Sequence, residues 1–168
     1  MTDKYRQVWG YPGYGVSADG EVINLETNRV LEHHRTRTGH IFVSLRYAPG
    51  KRRARSLGRI VAECYIDPPK DIRDNTIIHL DYDIENNRAD NLLWRNRWFA
   101  AQYHKQYRSM FYPLIREPFV LLETGEIFQN SHDFCTTKGA LDLDVAASLL
   151  TKTQLLYPRC SLLELKKS

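Results

Sequence analysis

Little in this chain would staple it or hold it in a lipid. Its three cysteines, Cys64, Cys135 and Cys160, are odd in number, far apart and form no C-x-x-C pair. That excludes a disulfide framework and a cysteine-based zinc site, and the thiols are expected to be reduced and structural. No apolar run approaches the roughly 20 residues that a bilayer span needs, and the start MTDKYRQVWG lacks the apolar centre of a secretory signal. A soluble cytoplasmic chain with no membrane partner is expected. A large excess of one charge is also missing, since the net charge is +4, so whole-chain charge says little about partners. The local absences say more. Residues 95–116 carry five Lys and Arg and no acid, and residues 33–73 carry ten against three acids. Residues 74–94 reverse the sign, with five acids and one Arg.

What is present is a folded composition. With 168 residues and 42% hydrophobic side chains, the chain can bury a core as one domain with an appendage or as two small domains. Basic segments interleaved with Tyr and Trp suit a phosphate backbone, because Lys and Arg displace condensed counterions and aromatic rings stack on bases. A solvated charged surface uses the same letters.

The segment YGVSADGEVINLETNRVLEHH alternates apolar residues (Val16, Val22, Ile23) around an Asp-Gly pair and predicts a hairpin. GHIFVSLRY predicts a strand, followed by a Pro-Gly turn and the basic run KRRAR. In SLGRIVAECYI, Leu57, Ile60, Val61, Cys64 and Tyr65 recur at helical spacing, with Ser56 as N-cap and DPPK as the stop. Strand TIIHL, a long turn, strand NLLW and a helical stretch over 95–110 come next. The prolines of FYPLIREP mark a boundary. FVLLETGEIFQN predicts a second hairpin, whose ETGEIF echoes ADGEVI as a recurring turn type. SHDFCTTKGALDLDVAASLLT predicts two short helices, with Ser131 capping the first, Gly139 ending it, and Asp142 or Asp144 capping the second. Such a pair is either a helix-turn-helix, whose second helix would enter a major groove, or a helical hairpin that only packs.

The stretch NTIIHLDYDIENNRADNLLWRN, residues 75–96, gathers one histidine, four acids and five asparagines between two apolar runs. Strand alternation turns His79 and Asp81 one way and Ile78 and Leu80 the other. Asn86, Asn87 and Asn91 suit the turn, because their amides bond to nearby backbone and tolerate left-handed conformations.

Taken in order, YRQVWGYPGYGVSADGEVINL, GHIFVSLRY, RIVAECYI and IIHLDYDIENNRADNLLW resemble the phage HNH homing endonucleases, intron-encoded or free-standing, over about residues 5–110. The hairpin and helices after 118 resemble the family's C-terminal DNA-binding module more loosely. The resemblance implies a ββα-metal core, with His79 as general base toward a water that attacks a phosphodiester, Asn91 as the central Asn that shapes the loop and orients the His, and Asp81 as the Asp of H-x-D. It also implies one divalent cation, Mg or Mn, if the chain is active, and none if catalysis is lost. Two positions depart from the family pattern. Ile78 stands where Asp or Asn usually precedes the catalytic His, and Ala100 stands where Asn or His usually follows six residues after the Trp, here Trp94. Gly58 stands where a His is common. Neither Ile78 nor Ala100 offers an oxygen, which hard cations require; Asp81, with Asn96 or His104 from neighbouring turns, is left as the uncertain ligand set.

The expected fold is therefore α+β: an N-terminal antiparallel sheet with a basic arm and short helix (1–74), an HNH-like ββα core (75–112), and a C-terminal hairpin plus paired helices (113–168). The expected partner is double-stranded DNA, bound by a monomer, with phosphate contacts among Arg35, Arg37, Lys51, Arg52, Arg53, Arg55 and Arg59. Three functions stay open: an HNH-type endonuclease of weak activity, a DNA-binding relative that has lost catalysis, and an RNA-binding or protein-interaction module.

Overall fold

The computed structural model describes residues 4–106, 113–156 and 158–164. These residues form small antiparallel sheets and four α-helices in two compact units, residues 1–97 and 98–168. The N-terminal strands and the strands around the Asn-rich turn share the first unit.

In that unit, β1 (Tyr5–Val8), β2 (Tyr11–Ser17) and β3 (Val22–Asn24) form one meander, with the Asp19-Gly20 turn joining β2 to β3. A second meander comprises β4 (His33–Arg35), β5 (Ile41–Ala48) and β6 (Lys51–Ser56). The basic run is thus a strand in its own right, turned back on β5 by Pro49-Gly50. Helix α1 (Leu57–Tyr65) follows directly. Ser56 occupies its N-cap position, but its side chain makes no capping hydrogen bond. Strands β7 (Thr76–His79) and β8 (Leu92–Arg95) pair antiparallel, with Ile77 opposite Trp94 and His79 opposite Leu92. One core joins these parts: Val16 and Val22 from the first meander, Val43 and Leu45 from the second, Ile60 and Val61 from α1, and Leu92 and Trp94 from β8. The stripe at positions 57, 60, 61, 64 and 65 is therefore the seam along which α1 meets the sheets, as helical periodicity requires.

The second unit holds all but the first residue of α2 (Arg97–Gln106), with β9 (Phe119–Leu121), β10 (Glu126–Phe128), α3 (Ser131–Lys138), α4 (Asp142–Thr151), β11 (Leu155–Leu156), β12 (Arg159–Cys160) and β13 (Leu162–Glu164). The expected helix over 95–110 is observed from Arg97 to Gln106, and residues 107–112 lie outside the described residues. Phe119, Phe128 and Phe134 form an aromatic cluster, with centroid separations of 5.9, 5.7 and 4.8 Å. Strand β13 adds to the edge of β9, giving the order β10-β9-β13. Within the unit Gln106 of α2 accepts a hydrogen bond from the Asp142 backbone N–H at 3.1 Å, and Tyr103 Oη lies 3.0 Å from His132 Nε2.

Two helix starts differ from expectation. The cap of α3 is Asn130, whose side chain accepts from Asp133 N at 2.9 Å; Ser131 opens the helix, and its hydroxyl bonds to the Ile115 backbone instead. The N-cap of α4 is Leu141, while Asp142 is fully buried and accepts from Leu114 N at 3.2 Å. Gly139 ends α3 as expected, in the left-handed conformation that glycine adopts without steric cost. The outward positions of α4 are Leu143, Asp144, Ala147, Leu150 and Thr151, a surface with one carboxylate and no cation. In charge this face is poorly matched to a phosphate backbone.

None of the three cysteines is in a disulfide, with Cys135 and Cys160 buried and Cys64 half-buried. No described helix is long and apolar enough to cross a membrane.

Candidate functional site

The Asn-rich segment folds as a turn cross-braced by its own side chains. Asp81 Oδ1 accepts from Asp83 N at 3.0 Å and from Asn91 Nδ2 at 2.7 Å, while its Oδ2 accepts from Asn86 Nδ2 at 2.6 Å. Asn91, nearly buried, spans the turn. Its Oδ1 accepts from Asp81 N at 2.9 Å and its Nδ2 also donates to the Asn86 carbonyl at 2.8 Å. The ladder runs one step beyond β7, because Leu80 N donates to the Asn91 carbonyl at 2.8 Å. The N-terminal meanders brace the turn from outside. Ala89 N donates to the Ala18 carbonyl at 2.8 Å, Arg88 bridges Asp19 at 2.7 Å and Asp90 at 3.1 Å, and Arg35 pairs with Glu85.

Loss of the Asn91 side chain should therefore be felt well beyond one bond. Each side-chain hydrogen bond contributes about 1 kcal/mol net, and an orphaned buried donor costs more, so Asn91→Ala should destabilise the chain by about 2–4 kcal/mol. A urea midpoint within error of wild type would contradict this bracing role.

His79 sits at the end of β7 and is 4% exposed. Its Nε2 lies 3.2 Å from Asn87 Oδ1. Burial pushes its pKa below the ordinary 6.5, while Asn87 and the nearby Asp81 and Asp83 carboxylates pull the other way without reversing it. Burial would raise the Asp81 carboxyl, but the amides of Asn86 and Asn91 and the Asp83 N–H outweigh it and hold Asp81 below its ordinary 3.8. Both groups thus bind protons more weakly folded than unfolded. Stability on this account is full above pH 6.5 and falls as acid first drives the unfolded His79 to take a proton, with a second loss near the carboxylate range. His33 is shifted in the same direction by burial, so His79→Gln should remove part of the stability difference between pH 7 and pH 5. An unchanged difference in denaturant midpoints would contradict the buried neutral ring.

The residues do not fit a divalent cation. Ile78 is completely buried and Ala100 is 2% exposed, both apolar, and both Asp81 oxygens are committed to the turn. Asn96 lies just before α2, outside the helix, and His104 sits edge-on to Tyr103 with centroids 5.7 Å apart. Among the described residues, no three His, Cys, Asp or Glu side chains converge as a metal-binding group.

The basic residues split into two groups. Arg35 is held by Glu85, while Arg55 and Arg59 both bond Glu63, at 2.7 and 2.9 Å. Arg55 also lies over Tyr11 and Arg59 over Trp94, 5.4 and 6.0 Å from the ring centroids. Arg37, Lys51, Arg52 and Arg53 are exposed with no carboxylate beside them among the described residues, and Arg53 stacks on Tyr47 at 5.4 Å. Arg46 joins this group. It is exposed on β5 and stands directly opposite Arg52 on β6, a like-charge pair that destabilises a sheet unless an anion lies between. The sequence reading omitted Arg46 and gave Asn87 only a turn-forming role. A register shift between Arg46 and Ala48 creates the pair, so counting outward from Pro49-Gly50 would have set Tyr47 opposite Arg52 instead.

No protein-family profile matches the chain. The H-N-H endonuclease F-TflII of Escherichia phage T5 is 31% identical over 91 residues, covering 54% of this chain and 47% of that protein, so the match spans about half the length of this relative. Among solved structures, that of the HNH homing endonuclease I-HmuI, from work on its DNA binding and cleavage, aligns with a TM-score of 0.55 over 98% of this chain and 99% of its own at 18% identity. That likeness establishes the fold.

Proposed function

We propose that this relative of the phage-type HNH endonucleases binds double-stranded DNA as a monomer in the host cytoplasm, and that its own phosphodiester cutting is slow or absent. The observation that carries the DNA reading is the exposed Arg46–Arg52 pair on β5–β6, flanked by Lys51 and Arg53. Four cations on one hairpin, with no carboxylate beside them among the described residues, raise a local positive potential that a phosphate backbone relieves.

In the catalytic reading His79 is the general base. Its depressed pKa keeps the ring neutral near pH 7, so one nitrogen holds a lone pair that can take a proton; Nδ1 is buried in the free chain, so this reading requires the surroundings of the ring to open to an attacking water. Asn91 acts at one remove by holding the turn that follows the His. What this site lacks among the described residues is a fixed positive charge for the oxygens that gain negative charge as the phosphodiester opens: positions 78 and 100 are apolar, and both Asp81 oxygens accept hydrogen bonds inside the turn. Base and electrostatic stabiliser have come apart, and the slower rate follows from the missing stabiliser.

The test uses the full chain with a broad duplex library and with single-stranded RNA of matched length, each assayed for binding and for strand breaks with Mg or Mn. Duplex binding with few or no breaks is expected. Preference for RNA would overturn the partner, and brisk His79-dependent breaks would overturn the slow-cutting reading.

A further inference from the structure

We propose that Asn87, and not Asn91, is the residue that positions the His79 ring, and that Gly58 is what makes room for it. The consequence for catalysis rests on His79 being the base, whereas the ring orientation stands apart from that reading.

Asn87 is buried, and three of its atoms are accounted for. Its Nδ2 donates to the Glu85 carbonyl at 2.9 Å, its backbone N donates to the same carbonyl at 3.1 Å, and its Oδ1 lies 3.2 Å from His79 Nε2. The amide cannot be turned over, because that would set its oxygen against the Glu85 oxygen, two acceptors in contact. An acceptor therefore faces Nε2, so Nε2 carries the hydrogen, and in the neutral ring the lone pair belongs to Nδ1. Asn87 thus selects one of two tautomers. Asn91 makes its side-chain bonds to Asp81 and Asn86 inside the turn.

The Asn87 amide can reach the ring only because α1 has no side chain at its second residue. A Cβ built on Gly58 would lie 2.5 Å from Asn87 Oδ1 and 2.6 Å from Ile77 Cδ1, closer than real Cβ atoms approach. Any larger residue there must displace the Asn87 amide oxygen and the tip of the Ile77 side chain. Three elements therefore meet at one point: the strand that carries His79, the turn that carries Asn87, and the helix that stays out of the way. The same contact gives a reason for glycine, a poor helix former, in the first turn of α1.

The test is nitrogen NMR of the full chain labelled at histidine, without DNA, where the two ring nitrogens report which one is protonated. Wild type should show His79 as the single Nε2–H tautomer. Asn87→Ala and Gly58→Ala should each lose that single tautomer, the second without altering either bonded group. A wild-type Nδ1–H tautomer or an even mixture would overturn the proposal. So would an unchanged tautomer in whichever alanine variant keeps the wild-type amide spectrum elsewhere. Because these spectra need neither DNA nor turnover, a chain that never cuts DNA leaves the tautomer result standing, and the reverse failure leaves DNA binding standing.

Discussion

Replacing Lys51, Arg52 and Arg53 together with alanine is expected to weaken duplex binding about five-hundredfold near 0.1 M salt, across DNA sequences alike. Each neutralised phosphate contributes a slope of about 0.9 to log affinity against log salt, so one contact is worth roughly eightfold at that concentration and three should lower the slope by about 2.7. Arg55→Ala makes the contrast. Its guanidinium lies 2.7 Å from Glu63 and over the Tyr11 ring, with about a fifth of the side chain exposed, so its charge is already answered within the chain. That variant should bind DNA within about tenfold of wild type, at most one contact by the same measure, and should lose stability instead, because Glu63 keeps only Arg59. Salt-dependent fluorescence anisotropy on one duplex separates the cases. An unaltered slope in the triple variant would remove this hairpin from the interface, and an Arg55→Ala loss as large as the triple would mean that the ion pair opens on binding. Arg46→Ala extends the series, since it removes one member of the facing pair and should relieve repulsion in the free chain while costing one phosphate contact.

That contrast also marks where sequence reading stops. The hairpins around Asp19-Gly20 and Pro49-Gly50 were legible because turn chemistry and period-2 alternation are local, and α1 was legible because its apolar residues repeat at 3.6. Asn91 at the turn was legible through the family pattern. Nothing local says that Glu63, one turn beyond Arg59 on α1, also reaches Arg55 at the end of β6; that pairing depends on how the strand runs into the helix. The α3 cap was misplaced by one residue because Asn130 and Ser131 can both cap, and the choice fell to the Ile115 backbone that takes the serine hydroxyl. Strand β13 was missed because a three-residue strand carries almost no periodic signal and is defined by its partner β9. Gly58 shows a subtler limit. Its position against a family pattern was readable, but its consequence appears only when Asn87 Oδ1 is found where a side chain would have been.

A second large effect is expected from giving the site back what positions 78 and 100 lack. On the proposed reading His79 can accept a proton in the wild-type chain, yet among the described residues no fixed cation meets the charge that develops on the phosphoryl and leaving oxygens. Single well-placed electrostatic donors are worth about 2.7–4 kcal/mol in other enzymes, a factor of roughly a hundred to a thousand. Ile78→Asp with Ala100→Asn should therefore raise Mg- or Mn-dependent strand breakage by about a hundredfold or more over wild type, and adding His79→Ala should abolish the gain. The variant should also report without turnover. Ile78 is completely buried, so a carboxylate there is costly unless it is paired or neutralised; the double variant should melt below wild type in chelator and recover on adding Mn, because an ion that binds only the folded state stabilises it. Wild type should show no such metal-dependent recovery. Breakage by the double variant no faster than wild type, with melting indifferent to Mn, would mean that these positions do not form a site even when they carry oxygen, and brisk metal-dependent breakage by the unaltered chain would move attention to Asn96 and His104.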